Sequence, residues 1–369
     1  MKVALAHHWL ASYRGGERVL EQIAALFPES DIYTLIQNPK IEIPGLSGCR
    51  VISSPLRRFP AATKLYRHLI PVHPFAIKRL VVPDDTDLLI SSDASLMKGL
   101  TVSPQTKHVC YCHSPPRYLW ELGDEYKKDS LAARMALDRF APRLRRFDYE
   151  AAQRVTHFIA NSSFVADRID QYYKRESEVI YPPVAVNDFQ SDLGRERFSL
   201  VISELVSYKR IDLAVKAFNQ LGERLVVIGD GPERKKLEQI AKQNIEFLGR
   251  QPFSVLKRHY ETASAFIFPG IEDFGITPVE AQASGCPVIA FRAGGALETV
   301  VEGKTGIFFD VQNAESMIAA VKELRRAAIS PLDCRANAER FSASIFRRNL
   351  SNALKRYGVS MPDSLESRL

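Results

Sequence analysis

Glu272-Asp273-Phe274-Gly275-Ile276-Thr277-Pro278-Val279-Glu280-Ala281-Gln282-Ala283-Ser284-Gly285 sets two carboxylates eight positions apart around a Phe-Gly turn. Just before it, Ala265-Phe266-Ile267-Phe268-Pro269 is a short apolar run ended by proline, the pattern of a buried parallel strand. The residues after the turn read as a helix: Pro278 is tolerated in a first turn, Val279, Ala281 and Ala283 suit a helix interior, and Gly285 ends it. Glu272 then lies in a strand-to-helix loop and Glu280 on the first helical turn, beside amides that lack intrahelical partners. Such amides and the helix dipole favour phosphate, while a carboxylate accepts the vicinal hydroxyls of a sugar. The plainer alternative is a capping carboxylate on a surface helix.

Working outward, the same alternation of apolar strands and amphipathic helices runs through both halves, at residues 2–6, 198–203 and 225–229 among others. A chain of 369 residues, 46% hydrophobic, exceeds what one core usually supports. The expectation is an α/β protein with two doubly wound, Rossmann-like sheets. Tyr181-Pro182-Pro183-Val184 and the polar stretch 187–197 mark the seam, giving domains 1–186 and 187–340, and then a terminal segment 341–369 comprising a helix and an aperiodic tail. Five dispersed cysteines make no disulfide framework, and Cys110 and Cys112 would share one strand face as reduced thiols. No stretch reaches the roughly 20 apolar residues of a membrane span, and the N-terminus enters a strand directly, so a cytoplasmic location is expected.

Other loops carry candidate ligand groups. Gly15-Gly16-Glu17 opens the helix 18–26, where glycines let an anion approach the backbone; alone, a glycine pair is only a turn. His113 follows the strand 108–112 at the carboxyl edge of a parallel sheet, where ligands bind in open sheets, although a satisfied core histidine is the alternative. Arg117 and Trp120 stand where they can pack the next helix. Lys209 and Arg210 stand between a strand and a helix, where cations sit poorly unless an anionic ligand is present. Arg250 ends the strand 245–248, where a solvated side chain is the plain reading.

The segment 272–285, completed by Gly285-Cys286-Pro287-Val288-Ile289-Ala290, closely resembles the signature of retaining glycosyltransferases of family 4. The resemblance covers nearly the whole chain and implies the GT-B fold, with two domains facing across a cleft. It implies that Glu272 holds hydroxyls of the transferred sugar, that Glu280 holds the nucleotide ribose, and that the amides of Phe274, Gly275, Ile276 and Thr277 face the diphosphate. It likewise implies donor contacts from Gly15, Gly16 and His113, a base contact from Arg250, an acceptor channel guarded by Arg117 and Trp120, and catalysis without a metal or other cofactor. The stretch 111–120 is similar to the subgroup that builds bacterial surface polysaccharides, which favours GDP-mannose as donor and a glycan or polyprenyl-diphosphate-linked oligosaccharide as acceptor. This chain departs from the family pattern at Glu204, where many members carry an arginine; Lys209 with Arg210 is the substitute pair. Rival expectations are a nucleotide-sugar epimerase, which acts without an acceptor, and a non-catalytic nucleotide-sugar-binding scaffold subunit.

Asp85-Thr86-Asp87 has the form of a metal-binding aspartate pair but precedes a strand on the side away from the expected site, where acidic turns are common. The net charge is +7, and residues 43–83 contain no acidic residue while Arg50, Arg57, Arg58, Lys64, Arg67, Lys78 and Arg79 interleave with Phe59, Leu65, Tyr66, Leu69 and Phe75. Such a face can dock on an anionic inner leaflet; it carries no recognised nucleic-acid motif, and a solvated basic face is the alternative.

Overall fold

A computed structural model describes residues 1–59, 61–66, 69–121 and 131–360, with only the backbone of Lys64 and residues 131–138. Arg67, part of the basic stretch, lies outside the described residues, as does the side chain of Lys64. The chain divides into two compact units, Met1–Pro183 with Ser344–Leu369, and Val184–Ala343. It therefore crosses between units at 183/184 and again at 343/344, where the sequence suggested 186/187 and 340/341.

The first unit holds seven strands: β1 (Val3–His7), β2 (Asp31–Thr34), β3 (Val51–Ser53), β4 (Leu88–Asp93), β5 (Lys107–Cys112), β6 (His157–Ala160) and β7 (Ser177–Val179). They lie in the order β3-β2-β1-β4-β5-β6-β7, every pair parallel. Both faces are covered, as parallel sheets require. Along β5, Val109 and Tyr111 enter one core while Cys110 and Cys112 enter another, the period-two alternation of a strand. The helix Ala343–Arg356 packs in this unit, its Phe346, Leu350, Ala353 and Leu354 lying against Leu5, Val109 and Tyr111. Tyr357 continues the contact by stacking on His157, ring centroids 4.0 Å apart.

The second unit holds β8 (Glu196–Ile202), β9 (Leu225–Ile228), β10 (Ile245–Gly249), β11 (Ala263–Phe268), β12 (Val288–Phe291) and β13 (Gly306–Phe309), in the parallel order β10-β9-β8-β11-β12-β13. In each sheet the strand order reverses once, between β1 and β4 and between β8 and β11, and ligands bind open α/β sheets at such switch points.

A buried ionic network ties the first unit together. Lys98 reaches Asp148 at 2.5 Å and Asp93 at 3.4 Å and donates to the Ser95 carbonyl at 2.8 Å, with all three charged side chains at most 1% exposed. Asp148 also receives Trp120 Nε1–H at 2.8 Å and Tyr173 O–H at 2.7 Å. It thereby joins the helices Arg117–Trp120, Leu131–Arg154 and Ser163–Tyr173. Removing one member of a buried pair leaves an uncompensated charge, so Asp148→Ala is expected to cost about 3–5 kcal/mol. Urea unfolding with a domain-specific probe checks this; a loss under about 1 kcal/mol would mean that water already satisfies Lys98.

Candidate functional site

In the second unit the loop after β8 and the loop after β11 flank the switch point, and they bring two of the expected residues together. Lys209 Nζ lies 2.8 Å from Glu272 Oε1. The approach needs glycine: a Cβ on Gly270 would stand 2.8 Å from Lys209 Cα. Burial alone would depress the Lys209 ammonium, but the Glu272 carboxylate, with smaller contributions from Tyr208 and Glu204, more than offsets it and holds the group above its ordinary value. Glu204, half-buried in the same loop, adds negative charge where the family pattern has positive.

Arg210 differs from expectation. Its backbone is left-handed, at φ +53°, and its guanidinium pairs with Asp212 at 3.2 Å and donates to Gln312 at 3.3 Å. Asp212 stands in the first turn of the helix Ile211–Leu221, so a local carboxylate resolves the clash between cation and helix dipole without any ligand. Gln312 in turn donates to the Pro269 carbonyl at 3.1 Å, linking Arg210 to the loop that carries Glu272.

The helix after that loop spans Ile276–Ala283, with Gly275 at its N-cap at φ +89°. Glu280 therefore falls in the second turn rather than the first. It is 8% exposed and accepts Tyr260 O–H at 3.0 Å. Phe274 buries its ring against Phe341, centroids 5.4 Å apart, which anchors the turn; Ile276 and Thr277 remain half-buried. Because Pro278 has no N–H, the free amides of this helix end at Thr277. Gly294 and Gly295 support the turn from β12: a Cβ at 295 would lie 2.3 Å from Phe274 Cα, and the Gly295 amide donates to the Glu272 carbonyl at 2.9 Å. Gly229 and Gly231 do the same for the β8 loop, where a Cβ would lie 1.8 Å from the Ser203 carbonyl oxygen and 2.4 Å from that of Leu205. Arg250 stands exposed after the edge strand β10.

In the first unit, the ends of β1, β4 and β5 converge. His113 Nε2 is 2.8 Å from Ser92 Oγ, and that hydroxyl is 3.1 Å from His7 Nδ1. Burial pushes the His113 imidazole down to about 3, so it is neutral near pH 7. The helix Gly15–Leu26 begins at Gly15 itself, and a Cβ on Gly16 would lie 3.4 Å from His7 Cε1 and 3.8 Å from His113 Nε2. Glu17, buried at 4% exposure, accepts the Arg14 amide at 3.0 Å. Trp120 packs: its N–H is held by Asp148 and its ring stacks on Tyr172 at 5.0 Å. Arg117 is half-buried at the start of the same short helix.

Sequence reasoning passed over His7, Ser92, Tyr260, Gly270, Gly294 and Gly295. The adjacent glycines after β12 were the available signal; nothing in sequence pairs Ser92 with two histidines. Asp85 and Asp87 both serve Lys2, at 2.6 Å each, as an acidic turn. Among the described residues no three His, Cys, Asp or Glu side chains converge as a metal set, and no helix is long and apolar enough to cross a membrane.

Similarity to known proteins extends over both units. The profile of Glycosyltransferase Family 4 matches residues 13–188, and that of Glycosyl transferases group 1 matches residues 186–341. The chain belongs to the family 4 glycosyltransferases. Among relatives, the GDP-mannose-dependent alpha-(1-6)-phosphatidylinositol monomannoside mannosyltransferase of Mycolicibacterium smegmatis is 33% identical over 158 residues, 37% of this chain and 41% of that protein. The O-antigen chain mannosyltransferase RfbU of Salmonella typhimurium is 27% identical over 188 residues, 48% of this chain and 53% of its own length. The chain thus spans about half of the length of the curated relatives it matches, or less. Of solved structures, Anabaena HepE in complex with UDP shares the fold of this glycosyltransferase at TM-score 0.72 and 16% identity, over 96% of this chain and 100% of the other. The two doubly wound sheets are those of the GT-B fold.

Proposed function

We propose that this chain is a retaining, metal-independent glycosyltransferase that moves a hexose from a nucleotide sugar, with mannose from GDP-mannose preferred, to a glycan or a polyprenyl-diphosphate-linked oligosaccharide. The observation that carries the reading is the Lys209–Glu272 pair at the β8/β11 switch point, 2.8 Å apart at the foot of a helix with free amides. Glu272 accepts sugar hydroxyls, and Lys209 with the amides of 275–277 stabilises the departing diphosphate, the charge that grows in the transition state. The bond from the anomeric carbon to the diphosphate oxygen breaks while the acceptor oxygen bonds to the same face, and the acceptor proton passes to the leaving phosphate oxygen. Glu280, held by Tyr260, takes the ribose diol. The preference for GDP-mannose draws on the relative named as GDP-mannose-dependent.

A thermal-shift panel of GDP, UDP, ADP and dTDP on the wild type and Glu280→Ala tests the donor. A ligand at about 100 times its Kd adds roughly 2.7 kcal/mol, so an upward shift selective for GDP and abolished in the variant is expected. Interconversion of a nucleotide sugar without an acceptor would instead reveal an epimerase, and no shift with any nucleotide would point to the scaffold.

We place the enzyme in the cytoplasm, attached peripherally to the inner leaflet. Phe59, Phe75 and Val81 are exposed at 57%, 61% and 79%, beside the exposed Arg57, Arg58, Lys78 and Arg79. Two members of the basic stretch belong elsewhere: Arg50 pairs with Asp31, and Tyr66 packs on Trp9 at 4.8 Å. Each remaining cation near an anionic surface contributes about 1 kcal/mol. The wild type should sediment with phosphatidylserine vesicles at low salt, and Phe59→Asp/Phe75→Asp should not; a wild type left in the supernatant sinks the idea.

A further inference from the structure

We propose that His7, Ser92 and His113 form a reversible proton relay, through which an anion bound at Gly15–Gly16 decides whether His113 offers its ligand a hydrogen-bond donor or an acceptor. The inference rests on the reading of Gly15–Gly16 as phosphate-facing and adds two residues that the reading did not contain.

The hydroxyl of Ser92 lies 3.1 Å from His7 Nδ1 and 2.8 Å from His113 Nε2. A serine hydroxyl has one proton, so it donates to one ring and must receive from the other. Burial holds both imidazoles far below their ordinary value, so each carries a single N–H and its position on one ring dictates its position on the other. At the far end of the chain of contacts, His7 is fully buried and its Nε2 has no hydrogen-bond partner. Buried polar atoms without partners are rare and cost about 1–3 kcal/mol. That nitrogen faces the first turn of the helix Gly15–Leu26: a Cβ on Gly16 would lie 3.8 Å from it. The Glu17 carboxylate takes the Arg14 amide, which leaves the amides of Gly15 and Gly16 as ones that the helix itself does not use.

The relay has two arrangements. Without an anion, His7 Nε2 meets only the positive end of the helix dipole and is best as a lone pair, so His7 Nδ1–H donates to Ser92, Ser92 donates to His113 Nε2, and His113 presents Nδ1–H. An anion at the two glycines demands a donor from His7 Nε2, and every bond reverses. A proton arrives at His7 Nε2 from water accompanying the anion, the Nδ1 proton passes to Ser92 Oγ, and the Ser92 proton passes to His113 Nε2. The His113 Nδ1 proton leaves to water, because that residue, unlike His7, is only partly buried. Net charge is unchanged, and His113 now presents an acceptor, suited to a sugar hydroxyl. His113 in this way discriminates a phosphate-bearing sugar from a free one. The neighbouring rings do not break the relay: His8 packs against His7 with ring centroids 4.1 Å apart and directs Nδ1 to the Ser92 carbonyl at 3.4 Å, leaving the hydroxyl to the two histidines.

The test uses the full chain labelled with 15N-histidine, long-range 1H–15N spectra that report which ring nitrogen carries the proton, and inorganic pyrophosphate as the probe. His113 is expected to change from Nδ1–H to Nε2–H on saturation. In Ser92→Ala pyrophosphate should bind within about threefold of the wild type, with the change at His113 lost. His7→Phe, similar in volume, should also hold His113 in the Nδ1–H form and serves if Ser92→Ala does not fold. A His113 tautomer indifferent to pyrophosphate, a switch that survives in both variants, or a wild type that does not bind pyrophosphate would each overturn the relay. A tautomer switch without glycosyl transfer would instead overturn the transferase reading and leave the relay standing.

Discussion

Replacing Lys209 by methionine is expected to lower kcat for GDP release from the proposed donor, GDP-mannose, by about 10²–10³, with a much smaller change in KM. Methionine keeps most of the apolar stem and removes only the cation, so the loss reports charge stabilisation rather than packing. The effect should be large because the neighbouring cation does not substitute for it: Arg210 is occupied by Asp212 and Gln312, and Glu204 adds charge of the opposite sign. The variant also leaves Glu272, 20% exposed, without its partner at 2.8 Å. Lys209→Met and Glu272→Gln should therefore be strongly non-additive, the double variant falling little below the worse single one. A kcat within about fivefold of the wild type would mean that the helix amides alone carry the leaving group.

The first unit is expected to lose stability steeply between about pH 6.5 and pH 4, well before the second. Burial drives the imidazole of His7 far below its ordinary value, that of His73 down to about 4, and those of His108 and His113 down to about 3. The sign follows from proton uptake. A histidine whose folded-state value is depressed stays neutral in the native unit while the unfolded chain protonates near about pH 6.5, so acid favours unfolding. Each contributes about 1.4 kcal/mol per pH unit in that window, and four together about 5 kcal/mol per pH unit. The buried Glu17 and Asp148, whose carboxyls are raised by desolvation, work in the opposite direction. Hydrogen exchange corrected for intrinsic rates should show amides of β1, β4 and β5 losing protection from about pH 6.5 downward while β8, β11 and β12 keep theirs. His73→Gln, which preserves a donor for the Tyr66 carbonyl, should reduce the slope by about 1.4 kcal/mol per pH unit. Equal acid sensitivity in the two units would remove the histidines as the cause.

Several features of the site were legible because they depend on local rules. Apolar runs ended by proline or glycine placed β11 and the helix Ile276–Ala283, and the strand-to-helix loop placed Glu272 at the sheet edge. The helix start was less secure: Gly275 takes the N-cap, so Glu280 is one turn deeper and needs Tyr260 to satisfy it. Trp120 carried two readings in sequence, and the buried Asp148 supplies what the packing one needs, because an indole N–H held among helices requires an acceptor.

The sequence by itself determined the alternation of strand and helix, the two-unit division to within a few residues, the carboxylates of the Phe-Gly turn, and membership of the family. These come from periodicity, helix-end chemistry and a short contiguous motif, all of which act over a few residues. Only the tertiary structure decided that Lys209 and not Arg210 meets Glu272, and that Ser92 joins His7 and His113 across separations of 85 and 21 positions. Those pairings depend on which strands become neighbours and on how closely glycines such as Gly270 let loops approach. At such places a buried polar atom takes whichever partner the packed geometry brings within reach, and that choice is made across the sheet rather than along the chain.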